Sequence, residues 1–196
     1  MAYRDIKNSV DTAKREGIAE GKEIGMKEGM AKGKQEGLAE GMEKGMAKAG
    51  KMDNRDYRVY TVMGDGELAE GSVWEGAMAA SHYKLDNLCA VVDRNRLQIS
   101  GNTEDVMHHD DLHERFKSFG WHVIDVADGN DIDQLEAAFN EAKTVKGKPT
   151  VLIANTVKGK GSKVMEDKAN WHHKVPTEEE YAQIMADFKK AEEALQ

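Results

Sequence analysis

The residue whose type and setting best suit chemistry is Asp65, which stands between two glycines directly after the β-branched run YRVYTVM. Glycines at 64 and 66 let the backbone turn sharply and approach a ligand closely. We expect the next helix to begin at Glu67, so that its free N–H groups and the positive end of its dipole face the same spot. A carboxylate placed there favours a hard cation, and a cation beside a helix N-terminus favours a diphosphate.

A second oxygen donor, Asn95, follows the next apolar run, NLCAVVD, thirty residues after Asp65. In a parallel βαβ unit the ends of the two strands are neighbours, so the Asn95 amide oxygen and a backbone carbonyl near Leu97 can reach the same cation. Mg²⁺ takes about six oxygen ligands and draws several of them from phosphate and water. The spacing therefore predicts a magnesium–diphosphate site.

The chain around these residues alternates between short apolar runs and segments with a helical period. Strands are predicted at YRVYTVM, NLCAVVD, GWHVIDV and KPTVLIANTV, and helices at ELAEGSVWEGAMAASHY, DLHERFKSF, DIDQLEAAFNEAKTV and TEEEYAQIMADFKKAEEAL. An Asp cap opens the third helix, and Thr177 with Glu180 forms a capping box at the fourth. This alternation predicts an α/β fold, a parallel sheet with helices on both faces, in which ligands bind at the carboxyl ends of the strands.

The stretch GDGELAEGSVWEGAMAASHYKLDNLCAVVDRNRL resembles the thiamine diphosphate motif of transketolases, with that family's GDG, EGSVWE, YKLDNL and DxNRL elements in order. The later stretch TVKGKGSKVMEDKANWHHK is similar to the family's KG-G…ED…WHG. Deoxyxylulose-phosphate synthases share the GDG and Asn elements, but EGSVWE and WHH favour transketolase. From about residue 45 onward, the resemblance implies a thiamine-diphosphate-binding fold truncated at its N-terminus.

The resemblance also implies roles for individual residues. Asp65, Asn95 and the Leu97 carbonyl would bind magnesium. The cofactor would be contacted by six residues near the ends of the strands: Gly64, Gly66, Glu67, Asn95, Lys158 and His172. The catalytic roles fall to His172, at the substrate entrance, and to Glu70, which matches a glutamate that contacts the partner's catalytic glutamate across the family's dimer interface.

Three of these residues have ordinary structural alternatives. Lys158 could be a solvated loop lysine and His172 a structural histidine, although both lie in a glycine-rich segment directly after a strand. Glu70, one turn into a helix, could simply interact favourably with the helix dipole. The chain departs from the family at His173, where the family has glycine, and we expect this substitution to constrain the loop.

Two other features have less to do with the predicted site. The segment HHDDLHERF offers three histidines and two aspartates, but they are adjacent rather than at i, i+4 spacing, and Asp110 or Asp111 suits an ordinary helix N-cap. A metal role there is the weaker interpretation. The lone cysteine, Cys89, lies within an apolar run and is interpreted as a small buried thiol.

The first fifty residues have a different sequence pattern from the rest, because glycine recurs at every fourth position from 17 to 45. On a helix this spacing forms a glycine stripe, and eight glycines would weaken an isolated helix by roughly 8 kcal/mol. A self-association helix and a frayed low-complexity tail both remain open. We therefore predict a glycine-repeat helical or disordered extension over 1–50, followed by the thiamine-diphosphate-binding domain over 51–196.

Within this extension, residues 3–45 resemble the repetitive C-terminal tail of recombination-promoting nucleases of the PD-(D/E)XK transposase type. The segment YRDIKNSVDTAKREGIAEGKEIGMKEG carries the likeness. It offers neither the carboxylates nor the lysine of a nuclease core, so no nuclease activity is expected from it.

Composition limits the classes of partner. A net charge of −8 provides no basic field for nucleic acid, and no apolar run approaches the length of a membrane span. The opening MAYRDIKNSVD has no apolar core of a secretory signal. We expect a cytoplasmic protein that binds neither nucleic acid nor membranes.

The family's activity is transfer of a two-carbon ketol unit from a ketose phosphate to an aldose phosphate, in the pentose phosphate pathway. The family activates its cofactor with a glutamate from a pyrimidine-binding domain, normally of the other subunit. We therefore expect the isolated chain to be inactive and to need a partner, either a pyrimidine-binding transketolase subunit or a second copy in a homodimer. The alternative is a catalytically inactive fused remnant that acts as a structural or self-association module.

Overall fold

A computed structural model describes residues 45–194 of the 196-residue chain. All of these residues fall within one compact unit. Apart from Gly45, the glycine repeat and the nuclease-like segment lie outside the described residues. Within the described part of the chain, no helix is long and apolar enough to cross a membrane.

The described residues are organised around a four-stranded sheet in the order β1-β2-β6-β5, with every pair parallel. These strands are β1 (Val59–Gly64), β2 (Leu88–Arg94), β5 (His122–Val126) and β6 (Thr150–Asn155). The first five residues of β2 and of β6 are all buried, as expected for strands covered on both faces. All four predicted strands are confirmed.

Six helices and a small hairpin complete the described structure. The helices are α1 (45–52), α2 (Gly71–His82), α3 (Thr103–Val106), α4 (Leu112–Ser118), α5 (Ile132–Thr144) and α6 (Glu178–Ala194). Short 3-10 turns cover Asp65–Ala69 and Ala169–Trp171, and the hairpin pairs β3 (Leu97–Gln98) with β4 (Gly101–Asn102). The sequence did not predict the hairpin or α3, since both are too short to show a periodic pattern.

Helices cover both faces of the sheet, as predicted. On one face α2 and α4 bury Ala77 and Phe116 against alternate strand residues such as Val92. On the other face α5 packs Ala138 against the opposite side chains of the same strands, with Cys89 fully buried among them. Burial raises the pKa of the Cys89 thiol to about 11, in keeping with the prediction of an inert buried thiol.

Polar side chains fix the helix starts that the sequence predicted. Asp131 accepts hydrogen bonds from the backbone at the start of α5, and Asp111 accepts one from Glu114 N–H at the start of α4. The capping box before α6 is present: the Thr177 hydroxyl accepts from Glu180 N–H, and the Glu180 carboxylate accepts from Thr177 N–H. Each interaction satisfies N–H groups that have no partner within the helix.

One predicted helix start is wrong. The first helix after β1 was expected to begin at Glu67, but a 3-10 turn occupies Asp65–Ala69 and α2 begins at Gly71. The Glu67 carboxylate turns back to accept a hydrogen bond from Gly64 N–H, which favours the tighter turn. Asp65 therefore lies inside a short turn rather than directly at the N-terminus of an α-helix.

Helix α1 packs on the body of the sheet domain. Ala47 is fully buried in the larger core, and its carbonyl accepts a hydrogen bond from the Asn87 amide at 2.9 Å. The Tyr57 hydroxyl donates to the Met46 carbonyl at 2.8 Å. These contacts come from residues that precede the predicted boundary at 50, and the division of the chain there stays a prediction.

Candidate functional site

Asp65 lies at the carboxyl end of β1 and is only 2% exposed. Its position follows from the sheet register, which pairs Gly64 with Asp93 at the ends of β1 and β2. One carboxylate oxygen, Oδ2, accepts a hydrogen bond from Arg96 N–H at 2.6 Å. The other oxygen, Oδ1, is buried without a hydrogen-bond partner among the described residues. One oxygen of Asp65 is thus fixed, and the other is available to a further group.

The surroundings of Asp65 disfavour the ionised form of its carboxyl group. Burial raises the pKa of its carboxyl above the ordinary value, and the nearby Asp93 charge adds to the rise. The hydrogen bond from Arg96 N–H and the proximity of Gly66 N–H and His109 lower the pKa, without cancelling the rise. A bound cation would remove this cost by pairing with the ionised carboxylate.

Asn95 lies in the turn between β2 and the hairpin, and Leu97 is the first residue of the hairpin strand β3. The Asn95 side-chain oxygen accepts a hydrogen bond from Leu97 N–H at 3.0 Å, which fixes the orientation of the amide. Arg96, between them, adopts a left-handed backbone with φ of 62°, and this conformation aims its N–H at Asp65. The turn after β2 is therefore tied to the turn after β1, as the spacing predicted. Coordination of a cation by Asn95 and Leu97 stays a prediction.

The glycines flanking Asp65 meet the expectation only in part: the backbone conformation differs, and close approach to a ligand stays a prediction. Neither Gly64 nor Gly66 has a positive φ, so the backbone there does not require glycine conformationally. A Cβ on Gly66 would instead lie 3.1 Å from the Gln98 Cβ. Gly66 is small because the hairpin strand β3 passes close to it. Space, rather than a sharp left-handed turn, is the reason for glycine at this position.

Lys158 lies three residues beyond β6, whose end is joined to the end of β2. The Thr156 hydroxyl donates to the Asp93 carboxylate, and Thr156 N–H donates to the Arg94 carbonyl at 3.2 Å. The loop then closes on itself, because Asp167 N–H donates to the Lys158 carbonyl at 2.9 Å. The loop that carries Lys158 is therefore closed, and it begins at the same edge of the sheet as Asp65. Lys158 itself is half-buried.

His172 follows this loop as the residue that ends the 3-10 turn Ala169–Trp171. It is half-buried, and its ring packs edge-on against the ring of His173 at 4.6 Å between centroids. His173 does not adopt a positive φ, so histidine replaces the family's glycine there without backbone strain. The departure at 173 thus leaves the backbone in an ordinary conformation.

Glu70 lies between the 3-10 turn and α2 and is exposed. Its backbone N–H donates to the Glu67 carbonyl at 2.9 Å, and its side chain makes no capping hydrogen bond to α2. The Glu70 side chain is therefore accessible at the start of α2. Its contact with a partner stays a prediction.

Sequence reasoning missed three residues that the structure brings to Asp65 or to its neighbour Gly66. Arg96 binds it through its backbone N–H, and Gln98 lies against Gly66 with its side-chain oxygen buried and without a hydrogen-bond partner among the described residues. His109, from the HHDD segment, is 3% exposed and lies close enough to Asp65 to lower the pKa of its carboxyl. The one available signal was the presence of polar residues beside the DRNRL motif. His109 is far from Asp65 in the sequence, so no local sequence pattern indicates that the two residues are close.

Comparison with known proteins places this site in a family. The family model described as "Transketolase, thiamine diphosphate binding domain" matches residues 19–192. The match begins within the glycine repeat, ahead of the predicted start near residue 45, and it includes all the candidate site residues.

Two curated relatives are named as subunits. A subunit of an apulose-4-phosphate transketolase from Phocaeicola vulgatus is 46% identical over 151 residues, which cover 77% of this chain and 53% of that protein. A subunit of a 6-deoxy-6-sulfo-D-fructose transketolase from Clostridium sp. is 39% identical over 145 residues, covering 74% of this chain and 52% of that protein. The chain spans about half the length of the curated relatives it matches.

Among solved structures, a transketolase from Pichia stipitis in complex with sedoheptulose-7-phosphate superposes with a TM-score of 0.67 and 31% identity. The superposition covers 78% of this chain and 24% of that one. The family match, the subunit relatives and the shared fold agree with one another. The chain belongs to the transketolase family, through its thiamine diphosphate-binding domain.

Proposed function

We propose that this chain is the thiamine-diphosphate- and magnesium-binding part of a cytoplasmic transketolase, which transfers a two-carbon ketol unit from a ketose phosphate to an aldose phosphate. The observation that carries the proposal is the burial of Asp65 and the unequal hydrogen bonding of its two carboxylate oxygens. Its carboxylate is buried at the carboxyl end of a parallel strand, with one oxygen held by Arg96 N–H and the other without a hydrogen-bond partner in the described residues. Family membership supplies the cofactor that such a carboxylate would serve.

The residues present suit a hard cation. Asp65 would give a carboxylate oxygen, Asn95 an amide oxygen and Leu97 a backbone carbonyl, and oxygen ligands of this kind are those that Mg²⁺ prefers. Asn95 is already fixed by its bond from Leu97 N–H, so its oxygen needs little reorganisation. The remaining ligands of Mg²⁺ would come from the diphosphate and from water.

The diphosphate itself would lie against the ends of β1, β2 and β6. Gly64 and Gly66 keep side chains away from that edge, and Glu67 fixes the turn through Gly64 N–H. Lys158 and His172 would add positive charge or N–H donors from the loop after β6. The expected contacts thus come from three adjacent strand ends, with Asn95 shared between metal and cofactor.

Thiamine diphosphate, when bound, supplies the carbon nucleophile for ketol transfer. The residues of this chain would bind and orient it, and His172 would face the entering sugar phosphate, where an imidazole can hold or move a proton near neutral pH. The solved Pichia stipitis relative was captured with a sugar phosphate, sedoheptulose-7-phosphate, which supports this class of substrate.

A partner subunit completes the proposal. The two curated relatives are named as transketolase subunits, and this chain spans about half their length. The pyrimidine-binding domain, with the glutamate that activates the cofactor, would come from a separate subunit or from the other copy of a homodimer. Exposed Glu70 would contact that glutamate. The alternative, an inactive remnant that serves as a structural module, predicts neither cofactor binding nor turnover.

Turnover with and without a partner tests this proposal. We expect no ketol transfer from the purified chain with Mg²⁺ and thiamine diphosphate, and measurable transfer after a pyrimidine-domain transketolase subunit is added. Glu70→Gln should lower the activity of the mixture while leaving cofactor binding by the chain unchanged. Ketol transfer by the chain alone would contradict the division between subunits.

A further inference from the structure

The carboxylate of Asp187, on helix α6, binds the loop that follows β6. Ser162, a fully buried residue in the middle of that loop, donates from its hydroxyl to Asp187 Oδ2 at 3.0 Å. Lys163 N–H donates to the same oxygen at 3.2 Å. The other oxygen of Asp187 accepts from the Gln183 side chain at 3.3 Å, so the carboxylate is held from its own helix as well. We call the Ser162–Asp187–Lys163 contact the α6 latch.

Shape complementarity accompanies the latch. Gly161 has a φ of 101°, and a Cβ placed there would lie 3.1 Å from the ring of Phe188. Ile184, one turn earlier on α6, is only 6% exposed. The loop therefore lies directly against α6 beside Ser162, whose hydroxyl is shielded from water.

Ser162 also organises the loop from within. Its hydroxyl accepts from Val164 N–H at 3.3 Å, and its carbonyl accepts from Met165 N–H and Glu166 N–H at 2.9 and 2.8 Å. The ends of the loop are joined by Asp167 N–H and the Lys158 carbonyl. The segment 158–167 is therefore one hydrogen-bonded unit, and Ser162 links its internal hydrogen bonds to α6.

The latch is charged at neutral pH. The hydrogen bond from Ser162 holds the pKa of the Asp187 carboxyl below its ordinary value, with further contributions from Gln183 and Lys163 N–H. A hydrogen bond to an ionised carboxylate is roughly twice as strong as one between neutral groups. Asp187 is thus suited to holding the loop more firmly than a neutral side chain would.

We propose that Asp187 is a positioning residue: through Ser162 it holds the loop 158–167, and with it Lys158 and the following His172, in the arrangement that receives the cofactor diphosphate. This inference rests on the proposed function. It assigns to α6, which contributes none of the predicted site residues, the task of fixing two of them. Asp187 acts through Ser162 and touches neither substrate nor cofactor.

Site-resolved trypsin cleavage of the full-length chain tests the latch without any cofactor. The loop contains Lys160 and Lys163, and cleavage after them requires the loop to open locally. Asp187→Ala removes the carboxylate yet keeps a strong helix former, so the melting temperature should change little. We expect cleavage after Lys160 and Lys163 to be about tenfold faster, the effect of losing a charge-assisted hydrogen bond. Glu192→Ala, an exposed change on the same helix, is the matched control and should leave the rate unchanged.

Calorimetric titration with thiamine diphosphate and Mg²⁺ then tests the positioning role. Asp187→Ala should bind about threefold more weakly or worse, because a smaller fraction of the chain has the loop in its competent form. Ser162→Ala should act in the same direction on both measurements. The double variant should show less than the product of the two single effects, since both substitutions remove the same bond.

Each result decides the inference. Equal cleavage of Asp187→Ala and wild type would overturn the latch, whatever the titration shows. Faster cleavage with unchanged cofactor affinity would overturn the positioning role. If wild type itself binds no thiamine diphosphate, the proposed function fails and the positioning role fails with it, while the cleavage rates still decide whether Asp187 holds the loop.

Discussion

Asp65 shows how a single side chain can cost stability in order to serve a site. Its carboxylate lies in a buried position where the charged form is disfavoured, and one oxygen has no hydrogen-bond partner among the described residues. Buried polar atoms without a partner typically cost about 1–3 kcal/mol. A group that completes the arrangement when bound, such as a cation, gives a physical reason for keeping an aspartate there.

Replacing the carboxylate by an amide should therefore stabilise the chain without ligands. For Asp65→Asn we expect a gain of about 1 kcal/mol at neutral pH, which corresponds to a rise in Tm of about 2–4 °C. The amide oxygen can still accept from Arg96 N–H, and no charge remains to be buried. Thermal denaturation without Mg²⁺ or cofactor measures the effect. The exposed Asp133→Asn is the control and should give no rise.

The same substitution should change the pH dependence of stability. In the unfolded chain an aspartate ionises near 3.8, whereas burial raises the pKa of Asp65 in the folded chain. As pH rises, the unfolded state loses its proton first, so the wild-type free energy of unfolding falls between the two pKa values and this contribution is constant above them. Asp65→Asn lacks that fall. A stability difference between the two proteins that does not change across this acidic window would contradict a buried, raised-pKa carboxyl at Asp65.

The regular elements were predictable because their patterns are local. The strands appear as apolar runs bounded by turns, and Asp111, Asp131 and Thr177 mark helix starts in the sequence itself. The predicted start of α2 was wrong because the Glu67 side chain folds back to Gly64 N–H and stabilises a 3-10 turn. The helix propensities of these residues do not indicate this interaction. The approach of α6 to the loop after β6 joins residues about 25 positions apart in sequence, and only the fold brings them together.

Helix α6 permits a prediction about its own start. Thr177→Ala removes the hydroxyl that accepts from Glu180 N–H and should cost about 1 kcal/mol, or about 2–4 °C in Tm. Thr177→Ser keeps a hydroxyl at this position and should retain most of that stability. The latch residue Asp187 lies more than two turns further along the helix, so cleavage after Lys160 should not change. A large increase in that cleavage in Thr177→Ala would mean that the whole of α6, rather than Asp187, holds the loop.

At the scale of the whole molecule, the family assignment rests on a sheet that brings the candidate site segments to one edge. The described sheet brings together the turns after β1 and β2 and starts the loop after β6 from the same edge. The predicted contacts with metal and diphosphate lie in these segments or directly after them. The GDG and DRNRL motifs indicated this meeting from the sequence, because parallel strands end at the same edge of a sheet. The glycine repeat before residue 45 gave no comparable indication, since its low-complexity pattern fits several structures equally well.

Calorimetric titration of the purified chain with thiamine diphosphate, with and without Mg²⁺, is the decisive experiment for the site at Asp65. We predict binding that requires Mg²⁺ and that is lost in Asp65→Ala, while Glu192→Ala binds as wild type does. Equal binding with and without Mg²⁺, equal binding by Asp65→Ala, or no binding by wild type would each contradict a magnesium–diphosphate site at Asp65. The last of these results would favour the structural module over the enzyme.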